Sequence, residues 1–163
     1  MQSLELVVPG IRVAFRAEQL AVYATVPFAA GDEILVVFGR EAGAPSRFSI
    51  QVGLDQHLEP GDETGVSPAA SRFPWRFLNH ACAPTAMLSG RRLLARTPLA
   101  IGDEVTFDYD STEWEMAEPF PCGCGHVTCR GRIAGYRHLD VAARAALAPL
   151  VAPHLLTMAR AAR

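Results

Sequence analysis

Lysine is missing from this chain of 163 residues, and its fifteen basic side chains are all arginine. With the abundance of Ala, Arg, Pro and Gly, that gap reads as the codon usage of a GC-rich genome, in keeping with a bacterial protein. The arginines are dispersed, Arg91-Arg92 being the one adjacent pair, so the chain lacks the basic stripe that tracks a phosphate backbone and direct nucleic-acid binding is not expected. Long apolar runs are missing too, although half of the residues are apolar; no stretch matches the span of a hydrocarbon core, and a membrane crossing is not expected. The opening Met-Gln-Ser-Leu-Glu-Leu has neither a basic leader nor a long apolar segment, so a reducing, cytoplasmic setting is expected. There is no internal repeat and no low-complexity linker. The length suits one domain with one core.

Cysteine is scarce, and its placement is informative. Cys82 stands alone in Arg76-Phe77-Leu78-Asn79-His80-Ala81-Cys82-Ala83-Pro84, whereas Cys122, Cys124 and Cys129 crowd into Pro121-Cys122-Gly123-Cys124-Gly125-His126-Val127-Thr128-Cys129. Thiolates are soft anionic ligands, and four of them complete a tetrahedral zinc ion with no open position, which makes such a site structural. Two disulfides or four unrelated buried thiols are the alternatives. His126 lies inside the cluster and is read as a bystander.

Short β-branched or aromatic runs closed by Gly, Pro or Asp predict strands over 4–8, 11–15, 20–24 and 34–38. Residues 41–71 read as variable turns around one strand at 48–52. Three further strands are predicted at 86–88, 92–96 and 104–109, separated by turn sequences. Beyond the cysteine loop, residues 139–163 carry Ala, Leu and Arg at helical spacing with breaks at Pro149 and Pro153, predicting two short helices. The pattern is mainly β with a short helical tail.

Arg76-Phe77-Leu78-Asn79-His80-Ala81-Cys82-Ala83-Pro84, then Gly102-Asp103-Glu104-Val105-Thr106-Phe107-Asp108-Tyr109, then the cysteine loop ending Cys129-Arg130-Gly131-Arg132-Ile133, resemble in order and spacing the SET-domain protein-lysine methyltransferases with a post-SET zinc motif. Tyr23-Ala24 through Ile34 looks like the family's opening strand and turn, so the resemblance runs over about residues 18–135. It implies a β-clip-like SET fold of short strands with a pseudoknot, in which the Asn-His segment passes under a later strand. It divides the chain into a SET domain at 1–121, a post-SET zinc loop at 122–135 and a helical tail at 136–163. It also implies S-adenosylmethionine as methyl donor, held by Asn79, His80, Arg76, Phe77 and Tyr23, and one structural zinc ion on Cys82, Cys122, Cys124 and Cys129. Its implied partner is a protein or peptide lysine. Tyr109 would orient the amine, and Phe107, expected on the same strand face, would set the channel volume; a ring without a hydroxyl leaves room for di- or trimethylation. Methyl transfer from a sulfonium asks mainly for in-line positioning and exclusion of water. A lysine-modifying enzyme without lysine would also be unable to modify its own side chains.

Where the family places Gly-x-Gly, this chain has Gln19-Leu20-Ala21, whose side chains are expected to crowd the donor. Two other readings follow: a catalytically silent, zinc-stabilised SET-fold binding module, and an enzyme acting on a small-molecule amine. Trp114 and Phe120 are read as lid aromatics or packing residues, and Tyr136 and His138 as packing residues. Asp55, Glu59, Asp62 and Glu63 are candidates for an acidic channel mouth, or for a solvated loop.

Overall fold

The computed structural model describes residues 8–162. Its secondary structure is a series of short strands followed by two helices: β1 (Ile11–Arg16), β2 (Gln19–Ala24), β3 (Glu33–Val36), β4 (Arg40–Ala42), β5 (Ile50–Gly53), β6 (Gln56–Glu59), β7 (Asn79–His80), β8 (Ala86–Ser89), β9 (Arg92–Ala95), β10 (Thr106–Phe107), β11 (Phe120–Pro121), β12 (Arg132–Ile133), α1 (Val141–Leu147) and α2 (Pro153–Ala161). The mainly β reading and the two tail helices match it. The strand expected at 4–8 lies outside the described residues except for Val8. No helix among the described residues is long and apolar enough to cross a membrane.

Small antiparallel sheets form, most of their pairs between strands close in sequence. β1 and β2 make a hairpin around Ala17-Glu18, β3-β9-β8 form a three-stranded sheet, and β11 pairs with β12. The segment 41–71 departs from the loop reading: β4, β6 and β5 form a three-stranded sheet there, closed by Asp55 at a tight turn. Its strands are three to four residues long and carry Gly, Gln, His and Glu, so their period-2 signal is faint.

The one parallel ladder joins distant segments, with Asn79 opposite Thr106 and Phe107 opposite His80, extended by Ala81 N–H donating to the Phe107 carbonyl (3.2 Å). Strand β2 in turn bonds to the run before β10, through Ala24 N–H to Asp103 O (2.9 Å) and Val105 N–H to Val22 O (2.8 Å). The Asn-His segment is thus held inside the molecule. The strand expected over 104–109 is reduced to β10, because Tyr109–Ser111 turns into a 3-10 helix capped by the Asp108 side chain, which accepts from Asp110 N–H. Asp is a preferred N-cap because its carboxylate takes an orphan N–H of the first turn. Tyr109 therefore leaves the strand carrying Phe107, yet the two rings stay 4.8 Å apart between centroids.

A main core gathers Ile11, Val22, Leu58, Trp75, Leu93, Val105 and Phe107. Trp75 anchors it, donating its indole N–H to the Phe38 carbonyl (3.0 Å). A second cluster at the tail packs Tyr136, Leu147, Ala152 and Leu155 against Trp114 and Leu139. Asp140 caps α1 by accepting from Ala143 N–H (2.8 Å), and Pro153 opens α2, where its missing N–H costs nothing. Chain reversal into the tail occurs at Gly135, at φ +109, where a Cβ would sit 2.5 Å from the Trp114 carbonyl oxygen and 2.8 Å from Glu115 Cα. Both obstacles are backbone and cannot swing aside. Gly135→Ala is therefore expected to destabilise the protein by about 2–3 kcal/mol, read as a lowered midpoint of urea unfolding; an unchanged midpoint would contradict this packing.

Candidate functional site

The four cysteines, one from the Asn-His segment and three from the loop after β11, converge. Their sulfurs all lie within 4.8 Å of one another, and Cys82 Sγ is 3.9 Å from Cys122 Sγ. Four thiolates around a zinc ion at Zn–S of about 2.3 Å would stand roughly 3.8 Å apart, so the arrangement fits a tetrahedral metal and could hold one; all four cysteines are free of disulfides. The loop also supplies N–H groups to sulfur, from Arg130 to Cys82 Sγ and from Gly131 to Cys129 Sγ (both 3.4 Å). Burial pushes the Cys82 thiol up to about 12, so a bound cation is what would ionise it. His126 turns to Thr128, its Nδ1 2.8 Å from the Thr128 hydroxyl, and stays out of the cluster.

His80 joins this cluster to Tyr109. Its Nδ1 accepts from Tyr109 N–H (3.2 Å) and its Nε2 lies 3.3 Å from Cys82 Sγ, a pattern that assigns the proton to Nε2. Burial first, and then the charge of Arg130, hold the ring down at about 4. Although Asp108 Oδ1 approaches Nδ1 at 3.6 Å, this is not an ion pair, because the ring is neutral at ordinary pH. Asn79 spends its side-chain amide on the Leu20 carbonyl (3.1 Å) and on Glu104 Oε1 (2.9 Å). The side chains of both motif residues thus brace the crossing of β7 and β10.

A small pocket, with a cavity volume of about 50 Å³, opens on the other side of this crossing, lined by Phe48, Trp75, Arg76, Phe107, Tyr109 and Glu113 among others. It brings together three of the residues singled out in the sequence: Arg76, Phe107 and Tyr109. His80 lines a separate cleft with Thr85, Glu104 and Cys124. Neither cleft is lined by Asn79, Phe77 or Tyr23; the Tyr23 ring instead packs under the Arg12 guanidinium (5.2 Å). Arg76 stacks over Phe48 (4.9 Å) and Phe77 (5.2 Å), and its Nε is buried with no partner among the described residues.

Tyr109 donates its hydroxyl to the Leu78 carbonyl (2.5 Å), and its ring is edge-on to His80 (5.3 Å) and Phe120 (5.8 Å). Burial raises its pKa, reinforced by the negative charges of Glu113 and Glu104, so the phenol is neutral and keeps a lone pair for an incoming donor. The two aromatics left open by the sequence separate: Phe120 faces His80 and Tyr109, whereas Trp114 packs on Tyr136 in the tail cluster. Tyr136 is buried as a packing residue, but His138 is exposed and bonds Glu115 (2.7 Å).

Sequence reasoning missed the polar run around Tyr109. Asp108, Asp110, Ser111, Thr112 and Glu113 are all buried. Arg130, beside Cys129, supplies the countercharge: Nη1 and Nη2 donate to the two oxygens of Asp108 (2.9 and 2.5 Å), and Nε and Nη2 to Asp110 Oδ2 (3.2 and 3.0 Å). The other Asp110 oxygen accepts from Gly135 N–H (2.8 Å). Burial pushes both aspartates above the usual carboxylate range, against the pull of Arg130. Glu113 accepts Gln51 N–H on Oε1 (2.7 Å), with the Thr112 hydroxyl at 3.3 Å, and burial pushes it up to about 8. The proposed acidic mouth is engaged elsewhere: Glu59 pairs with Arg40, Glu63 bonds Ser71 and Arg72 N–H, Asp62 bonds Thr64, and Asp55 lines a shallow cleft beside Gln56. None of the four lines the Tyr109 pocket.

Two outcomes follow from these charges. Arg130→Ala leaves two buried carboxylates without their cation and is expected to cost about 3–5 kcal/mol, measured by urea unfolding; a loss under about 1 kcal/mol would show the clamp to be dispensable. Glu113 holds its proton more tightly folded than unfolded, so its contribution to stability is complete below the unfolded value of 4.5 and is lost as pH rises through about 8. The unfolding midpoint should fall between those pH values in the wild type, and fall less in Glu113→Gln. Equal slopes in the two proteins would refute the assignment.

No protein-family model matches the chain. Over 68 residues it is 41% identical to the methyltransferase flvH of Aspergillus flavus, covering 39% of this chain and 38% of that protein. Over 64 residues it is 39% identical to the histone-lysine N-methyltransferase, H3 lysine-4 specific, of Schizosaccharomyces pombe, covering 34% of this chain and 7% of that one. The matched part thus spans well under half the length of these curated relatives. Among solved structures, KRYPTONITE in complex with mCHG DNA and SAH superposes with a TM-score of 0.55 at 20% identity, over 75% of this chain and 28% of that one. The methyltransferase domain of human histone-lysine N-methyltransferase SETMAR gives 0.52 at 14% identity, over 74% and 56%. This chain has the SET-domain fold, and part of its sequence is similar to that of SET-domain lysine methyltransferases.

Proposed function

We propose that this chain transfers a methyl group from S-adenosylmethionine to the side-chain amine of a lysine in a protein or peptide. The observation that carries the reading is Tyr109: a neutral phenol on the wall of a half-open pocket, next to Phe107 and Arg76, at the position its motif shares with the lysine methyltransferases. Solved neighbours in complex with SAH, one of them also with an H3(1-15) peptide, support a donor of that class and a peptide acceptor.

S-adenosylmethionine supplies an activated methyl on a sulfonium. The chain's own task is to bind the donor, for which Arg76 and His80 are the motif residues that line a cleft, and to orient a neutral amine. The Tyr109 hydroxyl already donates to Leu78 O, so the phenol oxygen serves as an acceptor for an N–H of the amine and turns the nitrogen lone pair toward the methyl. Phe107 places a ring without a hydroxyl beside it, leaving space for di- or trimethylation. One structural zinc ion on Cys82, Cys122, Cys124 and Cys129 would fasten the loop that carries Arg130.

Tritiated donor and a cell lysate test the reading. Label is expected in lysine residues of the protein fraction, and purified protein should hold about one zinc per chain by elemental analysis. Tyr109→Phe is expected to lower turnover by about 100-fold or more while donor affinity stays within about twofold by calorimetry. Label entering only small molecules, or undiminished turnover in Tyr109→Phe, would overturn it.

A further inference from the structure

Within the Tyr109 pocket one carboxyl is only half used by the fold. Glu113 is 5% exposed and lines the pocket together with Phe48, Trp75, Phe107 and Tyr109. Its Oε1 is occupied by Gln51 N–H and faces the Thr112 hydroxyl. Oε2 takes no hydrogen bond among the described residues, and it is also not among their sealed, partnerless polar atoms. This oxygen keeps accessible surface, and Glu113 is among the residues that line the pocket. No arginine among the described residues pairs with it, although Arg76 and Arg47 line the same pocket: Arg76 lies 4.0 Å from Glu63 and Arg47 3.6 Å from Glu118.

The carboxyl is also held rigidly. Gln51, itself buried, accepts Trp114 N–H on Oε1 (2.8 Å) and donates its amide to the carbonyls of Gly53 and Leu54 (2.9 and 3.1 Å). Glu113 N–H bonds the Tyr109 carbonyl (2.9 Å), so carboxyl and phenol belong to one braced turn. An acid in an aromatic-walled pocket, with one oxygen unspent, is poor company for an anion or a neutral alkyl group and good company for an ammonium group, which aromatic faces also attract.

We infer that Glu113 is the group that recognises the substrate's cationic amine, which makes the pocket selective for an alkylammonium over a neutral chain of the same shape. The inference rests on the methyl-transfer reading for its biological meaning, but not for its test. Glu113 and the incoming ammonium each carry a proton, and binding releases one of them to solvent; the amine and carboxyl then share the other. With that proton on nitrogen they form an ammonium–carboxylate pair, and with it on Glu113 the nitrogen lone pair is free. From the second form the new N–C bond is made as the S–C bond of the donor breaks and its electron pair returns to sulfur. Glu113 is thus a substrate-binding and proton-holding residue, and Tyr109 directs the lone pair.

Calorimetry with Nα-acetyl-lysinamide and its neutral counterpart Nα-acetyl-norleucinamide reads the selectivity directly. The wild type is expected to prefer the lysine probe by about tenfold or more, and Glu113→Gln, which keeps an acceptor for Gln51 N–H, to shrink that preference to about twofold or less. Should Glu113→Gln fail to fold, carboxyl 13C shifts of glutamate-labelled wild type provide the second reading: one buried glutamate is expected to move with the lysine probe and not with norleucine. A preference unchanged in Glu113→Gln, a wild type without preference, or a static carboxyl signal would overturn the inference. So would a variant whose loss is confined to donor affinity, because Glu113 would then serve the donor. A wild type that selects the lysine probe but binds no donor would remove the methyl-transfer reading and leave the cation site standing.

Discussion

The half-buried guanidinium of Arg130 is the constraint on which the site depends. Carboxylates taken out of water are costly unless a cation and hydrogen bonds meet them, and the turn that holds Tyr109 has an aspartate on each side of it. One arginine satisfies both in a fork geometry suited to paired oxygens. The same residue offers its backbone N–H to Cys82 Sγ, and its neighbour Cys129 belongs to the sulfur cluster. The position of the phenol, the neutralisation of the turn and the closure of the cysteine loop are therefore a single arrangement. A lysine there would bring one point charge and no fork, and could not span both aspartates.

Polarity in the site is graded by distance from this clamp. Asp108 and Asp110 touch it directly. Ser111 returns its hydroxyl to the Asp108 carbonyl (2.6 Å), tightening the turn. Glu113, farther along, is beyond its reach and relies on one backbone N–H and a hydroxyl; its proton affinity rises most where compensation is least. On the opposite side, His80 is kept neutral by burial and by the same guanidinium, and serves as a hydrogen-bonding strut between Tyr109 and Cys82. Titratable groups here act mainly through geometry, which would suit the proposed methyl transfer, whose leaving group is already activated.

Much of this was legible without coordinates. Four scarce cysteines in a short loop and one distant motif announced a shared ion site, and their sulfurs do converge. The mainly β character followed from runs of β-branched residues, and the tail helices from Ala, Leu and Arg at helical spacing with breaks at Pro149 and Pro153. The sheet at 40–59 was not legible, because its strands are too short and too polar to show alternation, and they exist by pairing with one another. The buried Asp108–Glu113 run was not legible for a related reason: nothing local in five polar residues around a tyrosine says that an arginine twenty residues on will supply their countercharge. Asp55, Glu59, Asp62 and Glu63 were attractive as a charged mouth only while their own partners were unknown.

The sequence by itself determined the kinds of atoms available: soft ligands in the right number, a phenol and a phenyl ring two residues apart, and an Asn-His pair in a motif order shared with the SET-domain methyltransferases. Those are covalent facts, set by composition and spacing. Only the tertiary structure decided which groups are desolvated and which face each other, and so which acid is spent in a salt bridge and which keeps a free oxygen in the pocket. Burial and countercharge are properties of the folded arrangement, because the free energy of a charge depends on what replaces its water.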